Sequence, residues 1–115
     1  MKWGKCEFGS IQIDGAKYES DVVRDRGEIR KRKKPFREFR EQLGRTPVSL
    51  KERIPWSCKR LVIGTGMNGR LPVMEEVLSE AERRGVQIVQ CPTPEAVRIL
   101  EIDFPDTNAI LHLIC

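Results

Sequence analysis

The sequence lacks a long apolar run, a leader segment and any paired spacing of metal ligands. No stretch approaches the roughly 20 apolar residues of a membrane-spanning helix. Residues 1–5 lack the apolar segment and cleavage site of a secretory signal, so we expect a cytoplasmic protein that does not enter membranes. The four cysteines are Cys6, Cys58, Cys91 and Cys115, and their even number could form two disulfides. Without a secretory signal we expect free thiols, and the lack of CxxC spacing argues against a bound metal.

Groups that could carry catalysis are also scarce. The single histidine, His112, lies three residues before Cys115, and in a strand these two side chains would point to opposite faces. A nucleophilic Cys–His pair would in addition need a third, orienting group. The glutamates of residues 75–82 fit a solvated helix face rather than a catalytic pair. We interpret His112 as a hydrogen-bonded residue of the final strand, and the sequence identifies no catalytic residue and no cofactor.

The composition is that of a globular chain with a heavily charged surface. Of 115 residues, 39% are hydrophobic and 33% are charged. This length fits one domain with one core, which we place at residues 1–115. The positive charge is local, because nine basic residues and three acidic ones lie between Arg24 and Arg40 in a chain whose net charge is +4. That segment therefore carries +6 and the remainder −2.

The densest part of this segment predicts a basic surface. Its residues are Arg30, Lys31, Arg32, Lys33, Lys34 and Arg37. Such a run can bind phosphate backbones, but on a strand it also protects a sheet edge from unwanted pairing. Binding of single-stranded nucleic acid favours aromatic platforms beside the charge, and only Phe36 and Phe39 lie nearby. We favour a solvated edge and keep nucleic-acid binding as an alternative.

The N-terminal half has the pattern of β-hairpins followed by a segment that is harder to interpret. Residues 7–13 alternate in hydrophobicity before the turn pair Asp14-Gly15, which predicts an antiparallel hairpin that residues 20–25 continue as a sheet. A second turn is expected at residues 25–28. Short helices are possible at 35–43 and at 48–54, the latter with Thr46 as N-cap and Pro47 at the first helical position.

The C-terminal half has the pattern of a βαβ unit and a closing strand. Residues 61–63 predict a strand buried on both faces. Pro72 opens a predicted helix that runs to Arg84 and ends at Gly85, and residues 86–90 form the next strand. The two strands should be parallel. A second helix is expected from Thr93, as N-cap, to about Glu101, before a final strand at 109–114.

The turn after the first of these strands has the spacing GxGxxG. The context argues against a dinucleotide site, because the helix begins late and the next strand does not end in an acidic residue. Glycine amides could still approach a small anion, although a tight turn needs glycines in any case. The predicted ligand-binding residues are Gly64, Thr65, Gly66, Asn68, Gly69 and Arg70.

Several stretches, in this order and spacing, resemble the Mth-type domain family. They are Phe8-Gly9-Ser10-Ile11, Asp21-Val22-Val23, Leu61-Val62-Ile63-Gly64-Thr65-Gly66, Thr93-Pro94-Glu95-Ala96-Val97 and residues 109–115. The family includes a vertebrate adipogenesis-associated protein and a mitochondrial complex I assembly factor, and this chain resembles its prokaryotic form. The resemblance implies a three-layer α/β fold with a mixed central sheet, a βαβ crossover and an additional β-hairpin region.

The same resemblance implies a function without established catalysis or cofactor. Family members with a known role act in assembly or regulation, so the favoured hypothesis is a binding or assembly-factor-like protein. Its ligand would be a protein or a small anion held near residues 64–70 and the segment 30–40. The alternatives are an enzyme with a small-anion or phosphate ligand at the 64–70 loop, and a nucleic-acid-binding protein that uses residues 24–40.

Overall fold

The computed structural model describes residues 1–33, 46–102 and 105–115. Within these residues the chain forms two sheets and two helices. The strands are β1 (Trp3–Glu7), β2 (Ser10–Ile13), β3 (Ala16–Tyr18), β4 (Val22–Asp25), β5 (Glu28–Lys31), β6 (Arg60–Thr65), β7 (Gln87–Cys91) and β8 (Thr107–His112), and the helices are α1 (Glu75–Arg84) and α2 (Thr93–Glu101). Neither helix is long and apolar enough to cross a membrane.

The first three strands form a small antiparallel sheet in the order β1-β2-β3. Ile13 pairs with Ala16 across the turn at Asp14-Gly15, as the sequence predicts. The next hairpin, β4 to β5, closes at Arg26-Gly27, which confirms the second predicted turn. The expectation that residues 20–25 continue the first sheet is wrong, because β4 pairs with β8 and belongs to the second sheet.

The second sheet has five strands in the order β5-β4-β8-β6-β7. It is mixed: β6 runs parallel to both β7 and β8, whereas β4 is antiparallel to β5 and β8. The predicted β6–α1–β7 crossover between parallel strands is therefore confirmed. Residues 61–65 are all buried, as expected for a strand that is covered on both faces.

Alternate residues of the central strands feed two separate cores. On one face, Val62 and Leu111 pack with α2 and with Ile11 and Ile13 of the small sheet. On the other face, Leu61, Ile63 and Ile110 pack with α1 and with the segment that contains Val48 and Ile54. Because side chains of a strand alternate between faces, the five-stranded sheet forms the middle of three layers.

The predicted helix at 48–54 is wrong, and the helix predicted to open at Pro72 begins later. Residues 48–54 form no helix, and Val48 instead forms a parallel bridge with Val73. Val48 N–H donates to the Pro72 carbonyl, and Met74 N–H donates to the Val48 carbonyl. This pairing occupies the backbone before α1, so the helix begins at Glu75 rather than at Pro72. The predicted helix at 35–43 lies outside the described residues.

The helix ends show one confirmed prediction and one error. Gly85 ends α1 with a left-handed backbone, φ 71°, as predicted. Thr93 is not the N-cap of α2: Pro92 occupies that position, and Thr93 is the first helical residue. Its hydroxyl is used elsewhere, in contacts with the loop after β6.

Candidate functional site

The end of β6 and the loop that follows it contain the predicted anion-binding residues, which are Gly64, Thr65, Gly66, Asn68, Gly69 and Arg70. The amides of residues 66–69 have acceptors within the chain. Met67 N–H donates to the Ile114 carbonyl at 3.2 Å, and Asn68 N–H donates to Cys115 at 3.0 Å. Gly69 N–H donates back to the Gly66 carbonyl at 3.1 Å. An anion at this loop would have to displace such bonds, so anion binding here stays a prediction.

Thr93 ties the same loop to the last strand. Its Oγ1 accepts a hydrogen bond from Gly66 N–H at 2.9 Å and donates to the His112 carbonyl at 2.5 Å. Gly66 has φ +104°, and a Cβ added there would collide with the Ile114 carbonyl. Glycine is thus required by both the left-handed backbone and the close approach. The loop holds the C-terminal segment against the sheet.

A buried ionic network lies between β4, β5 and β8. Arg32, only 3% exposed, donates from Nε and Nη2 to the two carboxylate oxygens of Glu52 at 2.9 and 3.0 Å. Arg32 Nη1 donates to Asp21 Oδ2 at 2.9 Å. That oxygen also lies 2.7 Å from His112 Nδ1, and Asp21 Oδ1 accepts a hydrogen bond from Leu113 N–H at 3.0 Å. Four ionisable side chains far apart in sequence therefore meet in the interior.

The position of Arg32 corrects the predicted basic surface. Burial alone would lower the pKa of Arg32, but the hydrogen bonds and charges of Glu52 and Asp21 outweigh it and raise that pKa. Arg32 thus stays charged in the interior because two carboxylates face it. Lys31 and Lys33 on either side of it are exposed. Lys34 and Arg37 lie outside the described residues.

His112 is confirmed as a hydrogen-bonded residue of the final strand. Its side chain is 2% exposed, and its Nε2 has no hydrogen-bond partner among the described residues. Sequence reasoning missed Asp21 and Glu52 as its neighbours in the network. No short-range spacing could have found them, because Glu52 lies 20 residues and Asp21 lies 11 residues from Arg32.

An open cleft of about 420 Å³ lies beside the β4–β5 turn. We call it the arginine cleft, and its lining residues are Asp25, Arg26, Glu28, Ile29, Arg30 and Arg53. Arg30 Nη2 donates to the Arg53 carbonyl at 2.8 Å, which joins β5 to the segment before β6. A second cleft of about 330 Å³ lies next to it and shares Arg26 as a wall. Arg30 belongs to the basic surface predicted from the sequence, whereas no sequence pattern indicates that Arg53 is its neighbour.

The described lining of the arginine cleft has an excess of positive charge, with three arginines against two carboxylates. Burial and the nearby positive charge of Arg53 lower the pKa of Arg30, against the opposing effect of Asp25 and Glu52. Arg30 Nε is buried and has no hydrogen-bond partner among the described residues. Asp25 lies 3.0 Å from Arg26 Nε, so its charge is shared between Arg26 and Arg30. An acidic group in the cleft would relieve the repulsion between Arg30 and Arg53.

All four cysteines have free thiols in the structure, in agreement with the sequence prediction. Burial raises the pKa of the Cys6, Cys58 and Cys91 thiols. Because the thiolate is the nucleophile, a raised pKa makes these groups less reactive at neutral pH. Among the residues described, no three His, Cys, Asp or Glu side chains come together in a way that could hold a metal ion.

Comparison with known proteins finds similar structures. No protein-family model matches the sequence, and no curated protein does. The conserved hypothetical protein PH1505 of Pyrococcus horikoshii OT3 superposes with a TM-score of 0.78 and 27% identity over 100% of both chains. The structure named MT938 has a TM-score of 0.70 and 23% identity, over 98% of this chain and 97% of that one.

A third similar structure is named by its domain type. It is a Bordetella pertussis protein described as an Mth938-like domain, with a TM-score of 0.60, 16% identity and coverage of 92% of this chain and 81% of that one. The two-sheet, mixed α/β architecture described above matches these proteins along almost the whole chain. The resemblance seen in the sequence motifs is confirmed at the level of the fold: this chain has the fold of these Mth938-like structures.

Proposed function

We propose that this chain is a binding module that recognises an acidic segment of a partner protein at the arginine cleft. The observation that carries the proposal is the meeting of Arg26, Arg30 and Arg53 around one open cleft of about 420 Å³. Guanidinium groups bind carboxylates through paired, charge-assisted hydrogen bonds. Arg30 and Arg53 belong to different segments, so the fold rather than the sequence run creates this concentration of charge.

The mixed charge of the cleft favours a protein ligand over a nucleic acid. Asp25 and Glu28 line the cleft together with the three arginines. A polyphosphate backbone presents only negative charge and would be repelled by both carboxylates, whereas a protein segment can pair its own cations with them. Among the described residues, the lining contains no aromatic side chain on which a base could stack. The acidic-segment hypothesis therefore accounts for more of the lining.

Binding can be tested with a fluorescein-labelled peptide of five glutamates and one lysine, whose cation can pair with the cleft carboxylates, with fluorescence anisotropy as the readout. The wild-type chain is expected to bind the peptide, and the affinity should fall as ionic strength rises. Arg53→Gln should weaken binding by about tenfold, because a charge-assisted hydrogen bond contributes about 1.5–3 kcal/mol and 1.4 kcal/mol is a factor of ten. Arg53 suits this test because its side chain is exposed.

The matched control is Arg98→Gln, which removes the same charge from an exposed position on α2. It should leave the dissociation constant of the peptide unchanged. Equal losses in both variants would indicate that only net charge matters and would contradict a defined cleft. Tight binding of single-stranded DNA in place of the peptide, with a steep loss of affinity in salt, would favour the nucleic-acid alternative instead.

A further inference from the structure

Strand β7 forms an outer edge of the five-stranded sheet and carries no charge. Its sequence, Gln87–Cys91, contains neither a charged residue nor a proline. The other outer strands described here differ: β1 carries Lys5 and Glu7, β3 carries Lys17, and β5 carries three charged residues out of four. Natural proteins protect solvated sheet edges with charged residues. An uncharged edge strand therefore indicates that another strand pairs with it.

The backbone of β7 leaves hydrogen-bonding groups available along this edge. Gln87 N–H donates to the Lys59 carbonyl, so Gln87, Val89 and Cys91 direct their backbone groups towards β6. Ile88 and Gln90 therefore direct theirs away from the sheet. No described residue bonds to the backbone of either. The edge thus offers two N–H and two C=O groups for a further strand.

We propose that β7 pairs with β7 of a second copy of this chain, in antiparallel orientation about a two-fold axis. The strand has no charge with which to select a charged partner, and pairing it with a second copy brings no like charges of the strand itself together. A two-fold axis makes the contact isologous and closed, the commonest arrangement of soluble homo-oligomers. The resulting dimer has one continuous sheet across both chains.

The direction of the backbone groups, together with the requirement that both outward residues pair, fixes the register. Residues that exchange hydrogen bonds across an antiparallel pair must both face the partner, so Ile88 of one chain pairs with Gln90 of the other, and the reverse pair forms by symmetry. Val89 then lies directly opposite Val89 of the second copy, in a pair that is not hydrogen-bonded. Pro92 directly follows the last residue of β7. Because it has no N–H, it ends the pairing.

The first test is the mass of the chain in solution, measured by light scattering after size exclusion across a dilution series. The wild-type chain should have twice its monomer mass of 13.3 kDa. Gln90→Pro removes an outward N–H that has no partner within the described chain, so the monomer should still fold while its mass falls to one copy. Gln90→Ala keeps the N–H and should remain a dimer. Far-UV circular dichroism checks that each variant is folded.

The second test uses cysteine crosslinking and does not depend on a proline. Val89→Cys would place two cysteines opposite each other with Cα atoms about 4.5 Å apart, within the range that a disulfide spans. Oxidation should then produce a crosslinked dimer in high yield. Gln90→Cys faces Ile88 of the second copy and should crosslink far less. Both variants keep the four native cysteines, so the difference between them measures the register.

Three results would overturn the proposal. The first is a mass of 13.3 kDa for the wild-type chain at all concentrations. The second is a dimer that survives Gln90→Pro, which would place the interface elsewhere. The third is crosslinking of Gln90→Cys equal to that of Val89→Cys, which would contradict the register and with it the two-fold pairing of β7.

Discussion

The contribution of the buried network to stability can be tested with Glu52→Gln. Glu52 holds Arg32 through two hydrogen bonds at 2.9 and 3.0 Å and also accepts one from Ser49 N–H at 3.3 Å. Glutamine has nearly the same size, but it removes the negative charge and turns one acceptor into an NH₂ donor that faces the guanidinium. Arg32 would then depend on Asp21 alone for compensation of a charge in the interior.

The expected loss follows from the burial of both partners. The Arg32 and Glu52 side chains are 1% and 2% exposed. Removing one partner of a buried ion pair destabilises a protein by about 3–5 kcal/mol. The retained contact with Asp21 places the loss near the lower end, about 3 kcal/mol. At about 4 °C per kcal/mol, the midpoint of thermal unfolding should fall by roughly 12 °C. With an m-value of about 1.5 kcal/mol/M, the urea midpoint should fall by about 2 M.

The matched control is Glu19→Gln, which makes the same chemical change in an exposed ion pair. Glu19 lies 3.9 Å from Lys17, and both side chains are more than half exposed. Exposed pairs contribute little, so the control should change the free energy of unfolding by less than about 0.5 kcal/mol. If Glu52→Gln changed it no more than the control does, the buried pairing of Arg32 would be refuted.

Two further predictions concern a turn and a helix end. Gly66→Ala should destabilise the chain by more than Gly27→Ala. Both glycines have positive φ, and an alanine in that conformation costs about 1–3 kcal/mol at either position. Of these two positions, only Gly66 would also bring the added Cβ into collision with a carbonyl. Equal shifts in thermal midpoint would contradict this close approach. The hydrogen bonds from Arg83 and Arg84 lower the pKa of Glu80 to about 2, so this carboxylate should stabilise the fold above its ordinary pKa of 4.5 and lose that effect as the pH falls towards 2. A carboxyl NMR titration with a midpoint near 4.5 would refute it.

Features of the fold that depend on local backbone preferences could be predicted from the sequence. The turn pair Asp14-Gly15 closes a hairpin because both residues tolerate positive φ, and both have it here. Gly85 ends α1 for the same reason. The apolar run at residues 61–63 predicts a buried strand because no polar side chain interrupts it. In each case the determining interaction lies within a few residues.

The features that could not be predicted depend on contacts between distant segments. Arg32 lies in a run of charged residues whose pattern indicates a solvated edge. The carboxylates of Asp21 and Glu52 and two backbone carbonyls from residues 46–47 make its burial favourable. Thr93 precedes a proline and has the pattern of an N-cap, but its hydroxyl bridges Gly66 and His112 instead. The arginine cleft has the same origin, since it requires a contact across 23 residues. The sequence shows which segment carries the positive charge, but it does not show that Arg30 and Arg53 line the same cleft.

The two proposed surfaces lie at opposite ends of the same sheet. The strand order begins with β5, which lines the arginine cleft, and ends with β7. Pairing of β7 across a two-fold axis would therefore leave both clefts exposed at the outer ends of a ten-stranded sheet. With neighbouring strands about 4.8 Å apart, the two clefts would be separated by roughly 40 Å. Dimerisation at one edge does not alter the residues of the other, so a monovalent acidic peptide should bind dimer and monomer with the same affinity per cleft. The two hypotheses can accordingly be refuted independently of each other.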